Sequence, residues 1–178
     1  MNTEFTPVPI FDIAEAGRKT NTPGLIGATK RGGKWIETSL EDFYSKMRAL
    51  ALGLHGRGIR KGNQIALHAE NSVEWMMVDQ AVLSLGAINV PIYTTQPGDQ
   101  IKFILEDSGA RMYFFSQDSI FENFAPYYKQ VKQLEVVCMI SSARKDFSTM
   151  EDIIAEGKKL DAEQPELFAQ LRADVQPE

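Results

Sequence analysis

The sequence predicts an α/β fold: a mostly parallel sheet with flanking helices, preceded by an amino-terminal hairpin. Three observations carry this. Between residues 58 and 116, short apolar runs alternate with stretches of helical periodicity, and Gly, Pro or Ser stands at each joint. Strands separated by helices need right-handed crossovers, which set neighbouring strands parallel. The run Val136-Val137-Cys138-Met139-Ile140 is apolar on both faces, as a strand covered from both sides must be. At 178 residues the chain is one domain or most of one.

Residues 1–38 read as an amino-terminal segment. Pro7, Pro9 and Pro23 interrupt it, leaving a short helical stretch over 10–18. Residues 25–28 and 34–38 flank Thr29-Lys30-Arg31-Gly32-Gly33, a hairpin signal because the glycines accept positive φ. Residues 39–173 read as the α/β subdomain. Thr38 stands three before Glu41, a capping-box spacing that Ser39 and Asp42 repeat one residue on. Leu40, Phe43, Tyr44, Met47, Leu50, Ala51 and Leu54 follow on one helical stripe. Gly56, Gly58 and Gly62 end that helix and lead into a strand over 64–68. Ser72 caps a helix over 73–85 that is apolar on nearly all sides and therefore buried. Gly86 stops it before a strand over 88–93. Pro97 and Gly98 open a helix with the stripe Ile101, Ile104, Leu105 and Ser108, and Gly109 closes it. A strand over 112–116, a helix over 120–129 and a strand over 134–140 come next. Ser148 caps a helix over 149–160, Pro165 opens a last helix, and residues 174–178 read as an unstructured joint to further chain.

Composition narrows the function classes. A net charge of −5 without clustered Lys and Arg argues against nucleic acid or an anionic membrane as partner. The densest basic group, Arg57, Arg60 and Lys61, sits in a turn. One cysteine cannot form an internal disulfide, which fits a reducing, cytoplasmic compartment. The start has no signal-peptide pattern, and the most apolar run, 75–90, is too short and too polar to be a transmembrane segment.

Several features look like chemistry. Gly53, Gly56 and Gly58 imitate a dinucleotide fingerprint, but they end a helix and precede a strand, the order of a C-cap. No Walker phosphate loop occurs. His55, His68 and Cys138 are too scattered for a structural metal site. His55 reads as a solvent-edge residue, and His68, at a strand end, lacks an identifiable nucleophile to activate. Cys138, inside an apolar strand, reads as a small hydrophobe. Asp79 in the apolar helix reads as an edge residue facing water or a basic neighbour, and Trp75, Met76 and Met77 as core. The best ligand-proximal candidate is the loop Tyr93-Thr94-Thr95, after a strand's carboxyl end and before a helix, where open α/β sheets bind ligands. The alternative, that Thr95 only caps its helix, stands beside it.

Four segments in one order also resemble the opening third of the AMP-forming acyl-CoA synthetases. These are Gly58-Ile-Arg-Lys-Gly62-Asn63-Gln-Ile65-Ala66, Asn71-Ser-Val-Glu-Trp75, Gly86-Ala-Ile-Asn-Val-Pro91 and Phe103-Ile-Leu-Glu-Asp-Ser-Gly-Ala110. Asn63 replaces the usual Asp. The second segment, with Pro91-Ile-Tyr-Thr94, resembles the long-chain fatty acid branch. The resemblance implies the amino-terminal portion of a fatty acid–CoA ligase, an incomplete part of the synthetase large domain. The whole enzyme would use ATP, Mg2+ and CoA, make an acyl-adenylate and then a thioester, and be cytoplasmic or membrane-peripheral. The family's phosphate loop ending in Pro-Lys-Gly does not occur in this chain, so no catalytic, cofactor-binding or metal residue carries over. The chain alone is expected to be inactive and to self-associate as a homodimer. The alternative is a stand-alone, non-catalytic α/β binding or interaction module.

Overall fold

The computed structural model describes residues 24–132, 134–141, 145 and 147–175, together with Pro9, Phe11 and Asp12. Strands β1 (Leu25–Arg31) and β2 (Lys34–Ser39) form the expected antiparallel hairpin. Gly32 and Gly33 turn it at φ of 54° and 79°, a left-handed pair that side chains rarely adopt. Beyond Phe11 and Asp12, the helix expected over 10–18 lies outside the described residues. Asp12 pairs with Arg172, whose guanidinium lies 5.1 Å from the Phe11 ring.

Helix α1 (Leu40–Gly56) is capped by Ser39, whose hydroxyl accepts from the Asp42 N–H at 3.1 Å. Of the two capping frames in the sequence the second is used: both residues lie in β2, and Ser39 stands directly before the helix. Then come β3 (Gln64–His68), α2 (Val73–Ser84), β4 (Ile88–Ile92), α3 (Gly98–Ser108), β5 (Met112–Gln117) and the single turn α4 (Asp118–Phe121). Strand β6 (Glu135–Ser141), the short β7 (Ser148–Thr149), α5 (Met150–Glu163) and α6 (Leu167–Ala173) complete the order. Ser72 and Gly109 punctuate the chain as expected.

Two element predictions need correction. The helix over 120–129 is only α4, a series of turns, and a 3-10 turn at Tyr128–Gln130. Pro126 removes an N–H from the middle of that stretch, and Phe121 and Phe124 are buried by the turns instead. The cap of α5 is Thr149, in a reciprocal box with Asp152, because Ser148 is drawn with it into parallel pairing against β6.

The sheet order is β4-β3-β5-β6-β7, parallel at every step. Strand alternation supplies two cores. Ile65, Leu67, Met112, Phe114, Val137 and Met139 face α1, α2 and α5. Ala66, Tyr113, Phe115, Val136 and Cys138 face α3 and the aromatic turns around Phe121 and Phe124. Pro91 lies on β4, an end strand, where its missing N–H costs no ladder bond on the outer side.

Helix α1 buries more than one stripe. Ala49, Leu52 and Gly53 are also buried, because α5 packs along a second side. A Cβ on Gly53 would lie 2.1 Å from the Ile153 carbonyl oxygen, and one on Gly157 would lie 1.7 Å from that of Ala49. Gly53 is therefore a helix-contact residue within α1, and its carbonyl also accepts the N–H of the C-cap residue Arg57 at 3.0 Å.

Candidate functional site

From β3 the chain moves to β4 on one side, then crosses back to β5 on the other. The strand order thus reverses between β3 and β5, and in open α/β sheets the ligand crevice lies at the carboxyl ends of such a pair. Residues 69–70 and 116–117 form that edge. Ser116 is buried, and its hydroxyl donates to the Glu70 carboxylate. Gln117 Nε2 donates to the other Glu70 oxygen at 3.3 Å. The mouth of the crevice is thereby acidic and rich in acceptors. Sequence patterns singled out neither Glu70 nor Gln117; their link appears only once β3 and β5 are adjacent.

His68 stands at the end of β3, 0% exposed, with Ile92 and Phe115 as its register partners on either side. Its Nδ1 lies 2.5 Å from the hydroxyl of Tyr113, itself fully buried. Burial holds the imidazole below its ordinary pKa, and the nearby Thr94 and Tyr93 main chain and Glu70 offset only part of that. Burial pushes the Tyr113 phenol far up. Both groups are neutral at physiological pH.

The Tyr93-Thr94-Thr95 loop follows β4 and so flanks the crevice from the far side of His68. Tyr93 is 83% exposed, Thr94 half-buried and Thr95 exposed. The Gln96 N–H donates to the Tyr93 carbonyl at 3.0 Å, closing a turn. Helix α3 starts two residues after that turn, with Pro97 at the N-cap position and no side-chain cap bond. Thr95 therefore does not cap it. The first turn of α3 already carries Asp99, whose charge complements the helix dipole.

The other sequence features resolve as structure. Asp79 is half-buried and accepts from Asn89 Nδ2 at 2.7 Å, so its partner is an amide rather than a basic group. Met77 is core, whereas Trp75 and Met76 pack only partly buried against it. His55 is half-buried, in keeping with a place at the solvent edge, and is held below its ordinary pKa by desolvation and then by Arg60. Each residue of the basic turn has a partner within the chain. Arg57 pairs with Glu156 and Glu135, Arg60 donates to the His55 carbonyl at 2.6 Å, and Lys61 reaches the Asp174 carbonyl at 3.4 Å. These cations meet carboxylates and helix-end carbonyls. No group of three or more His, Cys, Asp or Glu among the described residues is placed to hold a metal ion. No helix among them is long and apolar enough to cross a membrane.

The family model for AMP-binding enzymes matches residues 14–177. The chain belongs to that family. Among curated relatives, the long-chain-fatty-acid–CoA ligase FadD15 of Mycobacterium bovis is 32% identical over 111 residues, 62% of this chain and 18% of that protein. The match therefore spans about a fifth of that ligase. The uncharacterized protein Rv1549 of Mycobacterium tuberculosis is 26% identical over 110 residues, covering 61% of this chain and 62% of its own length. That relative is thus about as long as this chain. The anthranilate CoA ligase AuaEII, solved with anthranoyl-AMP, superposes with a TM-score of 0.73 at 21% identity over 87% of this chain and 30% of its own. The shared architecture is an α/β fold common to this chain and to solved CoA ligases. In this family setting, the four sequence motifs occupy the joints around β3, α2, β4 and α3.

Proposed function

We propose that this chain is the amino-terminal portion of an ATP-dependent long-chain fatty acid–CoA ligase. In the whole enzyme a fatty acid and ATP would give an acyl-adenylate and pyrophosphate, and CoA would then take the acyl group as a thioester. Mg2+ would accompany ATP. The single observation that carries this reading is the similarity to a long-chain ligase over 111 residues, 62% of this chain. This portion would scaffold the acyl and nucleotide sites, with the Tyr93-Thr94-Thr95 loop as its ligand-proximal element.

Because the family's phosphate loop does not occur in this chain, the isolated chain is expected neither to bind ATP tightly nor to form acyl-adenylate. Calorimetry with ATP and Mg2+, and pyrophosphate release with palmitate, check this. Micromolar affinity or steady release from the isolated chain would overturn the inactivity. The enzyme read from an extended reading frame should make palmitoyl-CoA, and failure to do so would remove the ligase reading.

A second reading, a stand-alone non-catalytic module, is favoured by the relative of similar length. A stop codon directly after residue 178 would support it.

A further inference from the structure

We propose that His68 is a positioning residue whose Nε2–H holds the main chain of the Tyr93–Thr95 loop against the end of β3. The inference starts from an orphan. His68 is fully buried, one ring nitrogen meets Tyr113, and the other, Nε2, is buried with no well-formed hydrogen bond among the described residues, although the Thr94 and Tyr93 main chain lies close enough to act on the ring. Buried polar atoms are nearly always paired, and leaving one unmet is costly.

The surroundings decide which nitrogen carries the proton. The Tyr113 ring is packed among Phe124, Phe115 and Phe121, at centroid distances of 5.0, 6.2 and 6.3 Å. None of these accepts a conventional hydrogen bond, so the phenolic O–H has Nδ1 as its acceptor. Nδ1 then needs its lone pair, and the proton resides on Nε2. The opposite tautomer would leave both the phenolic proton and the Nε2 lone pair unmet.

What faces Nε2 is the main chain after β4. Ile92 is the register partner of His68, and the next two residues pass the end of β3. The Tyr93 carbonyl already accepts from the Gln96 N–H. The Thr94 carbonyl has no such bond within the turn, which makes it the acceptor of choice. Tyr93 and Thr95 are exposed and no side-chain cap bond ties the loop to α3, so a bond from His68 would be its anchor. That bond would satisfy Nε2 and fix Thr94 beside the crevice between β3 and β5. Tyr113 thus acts on the loop through His68.

The test uses the 178-residue chain itself. Long-range 1H–15N correlation of the imidazoles should show His68 as the neutral Nε2–H tautomer with an exchange-protected Hε2. His68 protonated on Nδ1 would overturn the proposal. Tyr113→Phe, which deletes one oxygen, should mix the tautomers and speed Gln96 amide exchange by roughly tenfold. His68→Phe should speed it as much, and His68→Gln, which keeps a donor at the ε position, should restore most of the protection. Unchanged Gln96 exchange in Tyr113→Phe and His68→Phe would also overturn it. The wild-type tautomer needs no variant to fold. For catalysis the proposal rests on the ligase reading: in the whole enzyme Tyr113→Phe should raise KM for its ligand more than it lowers kcat. The spectroscopic arm is independent of that reading, so the two fail separately.

Discussion

His68 also makes a prediction about stability. Its folded-state pKa lies below that of the unfolded chain, about 6.5. On acidification the unfolded chain therefore binds the proton first. Stability is complete above that value and declines as pH falls from about 6.5 toward the folded pKa. His55 is shifted in the same direction and adds to the same limb. Urea midpoints between pH 5 and 8 should fall on the acid side, and the slope should shrink in His68→Gln. A slope unchanged by both His68→Gln and His55→Gln would mean that other groups set the limb. Core position gives a second residue-scale prediction. Met77 is 3% exposed while Met76 stays partly open, so Met77→Ala should cost about 2–5 kcal/mol and Met76→Ala clearly less. Equal midpoint losses would contradict the assigned faces of α2.

Helices α1 and α5 approach backbone to backbone through Gly53 and Gly157, locked at their flanks by side chains. Arg48 Nε reaches the Asp161 carboxylate at 3.0 and 3.1 Å and its NH2 at 2.6 Å, while Arg57 ties α1 to β6, β7 and α5. An added methyl at Gly157 meets a carbonyl that cannot move without moving the helix. Alanine ordinarily favours a helix over glycine by about 1 kcal/mol, but here Gly157→Ala should destabilise by about 2 kcal/mol or more through overpacking. Thermal melts of Gly157→Ala and Gly53→Ala decide this, and a raised Tm would refute the close-contact role. The caps are assigned as clearly. Ser39→Ala should cost about 1 kcal/mol and Thr38→Ala little of that kind, since only Ser39 meets the Asp42 N–H.

At the scale of the molecule, two surfaces are left for association. The hairpin carries Trp35 at 67% exposure with Ile36 and Leu25 also exposed, and the end strand β4 is bordered by exposed Ile88 and Tyr93. Open edges and exposed apolar side chains both favour self-association. The isolated chain is expected to form a two-fold dimer. Light scattering over a concentration series should show the mass doubling, and Trp35→Ser or a charge at Ile88 should shift the midpoint upward. A single monomeric mass at every concentration would rule the dimer out.

The sequence by itself determined the α/β class, the hairpin, the strand at 64–68, the Ser72 cap, the Gly109 stop and the family resemblance. These rest on signals within a few residues: a capping hydroxyl near a free N–H, a glycine at positive φ, an apolar period of two or near four. Such signals lose force where neighbours in space compete, as at Ser148, whose hydroxyl accepts from Arg57 while Thr149 caps α5. Only the tertiary structure decided the rest. It made Gly53 a helix contact with a partner some hundred residues away, used the basic turn on helix ends, and set the reversal between β3 and β5. It brought Glu70 to Ser116 and His68 to Tyr113, pairs separated by 46 and 45 positions. No local pattern encodes a distance between residues that far apart, because it arises from the order in which parallel strands pack.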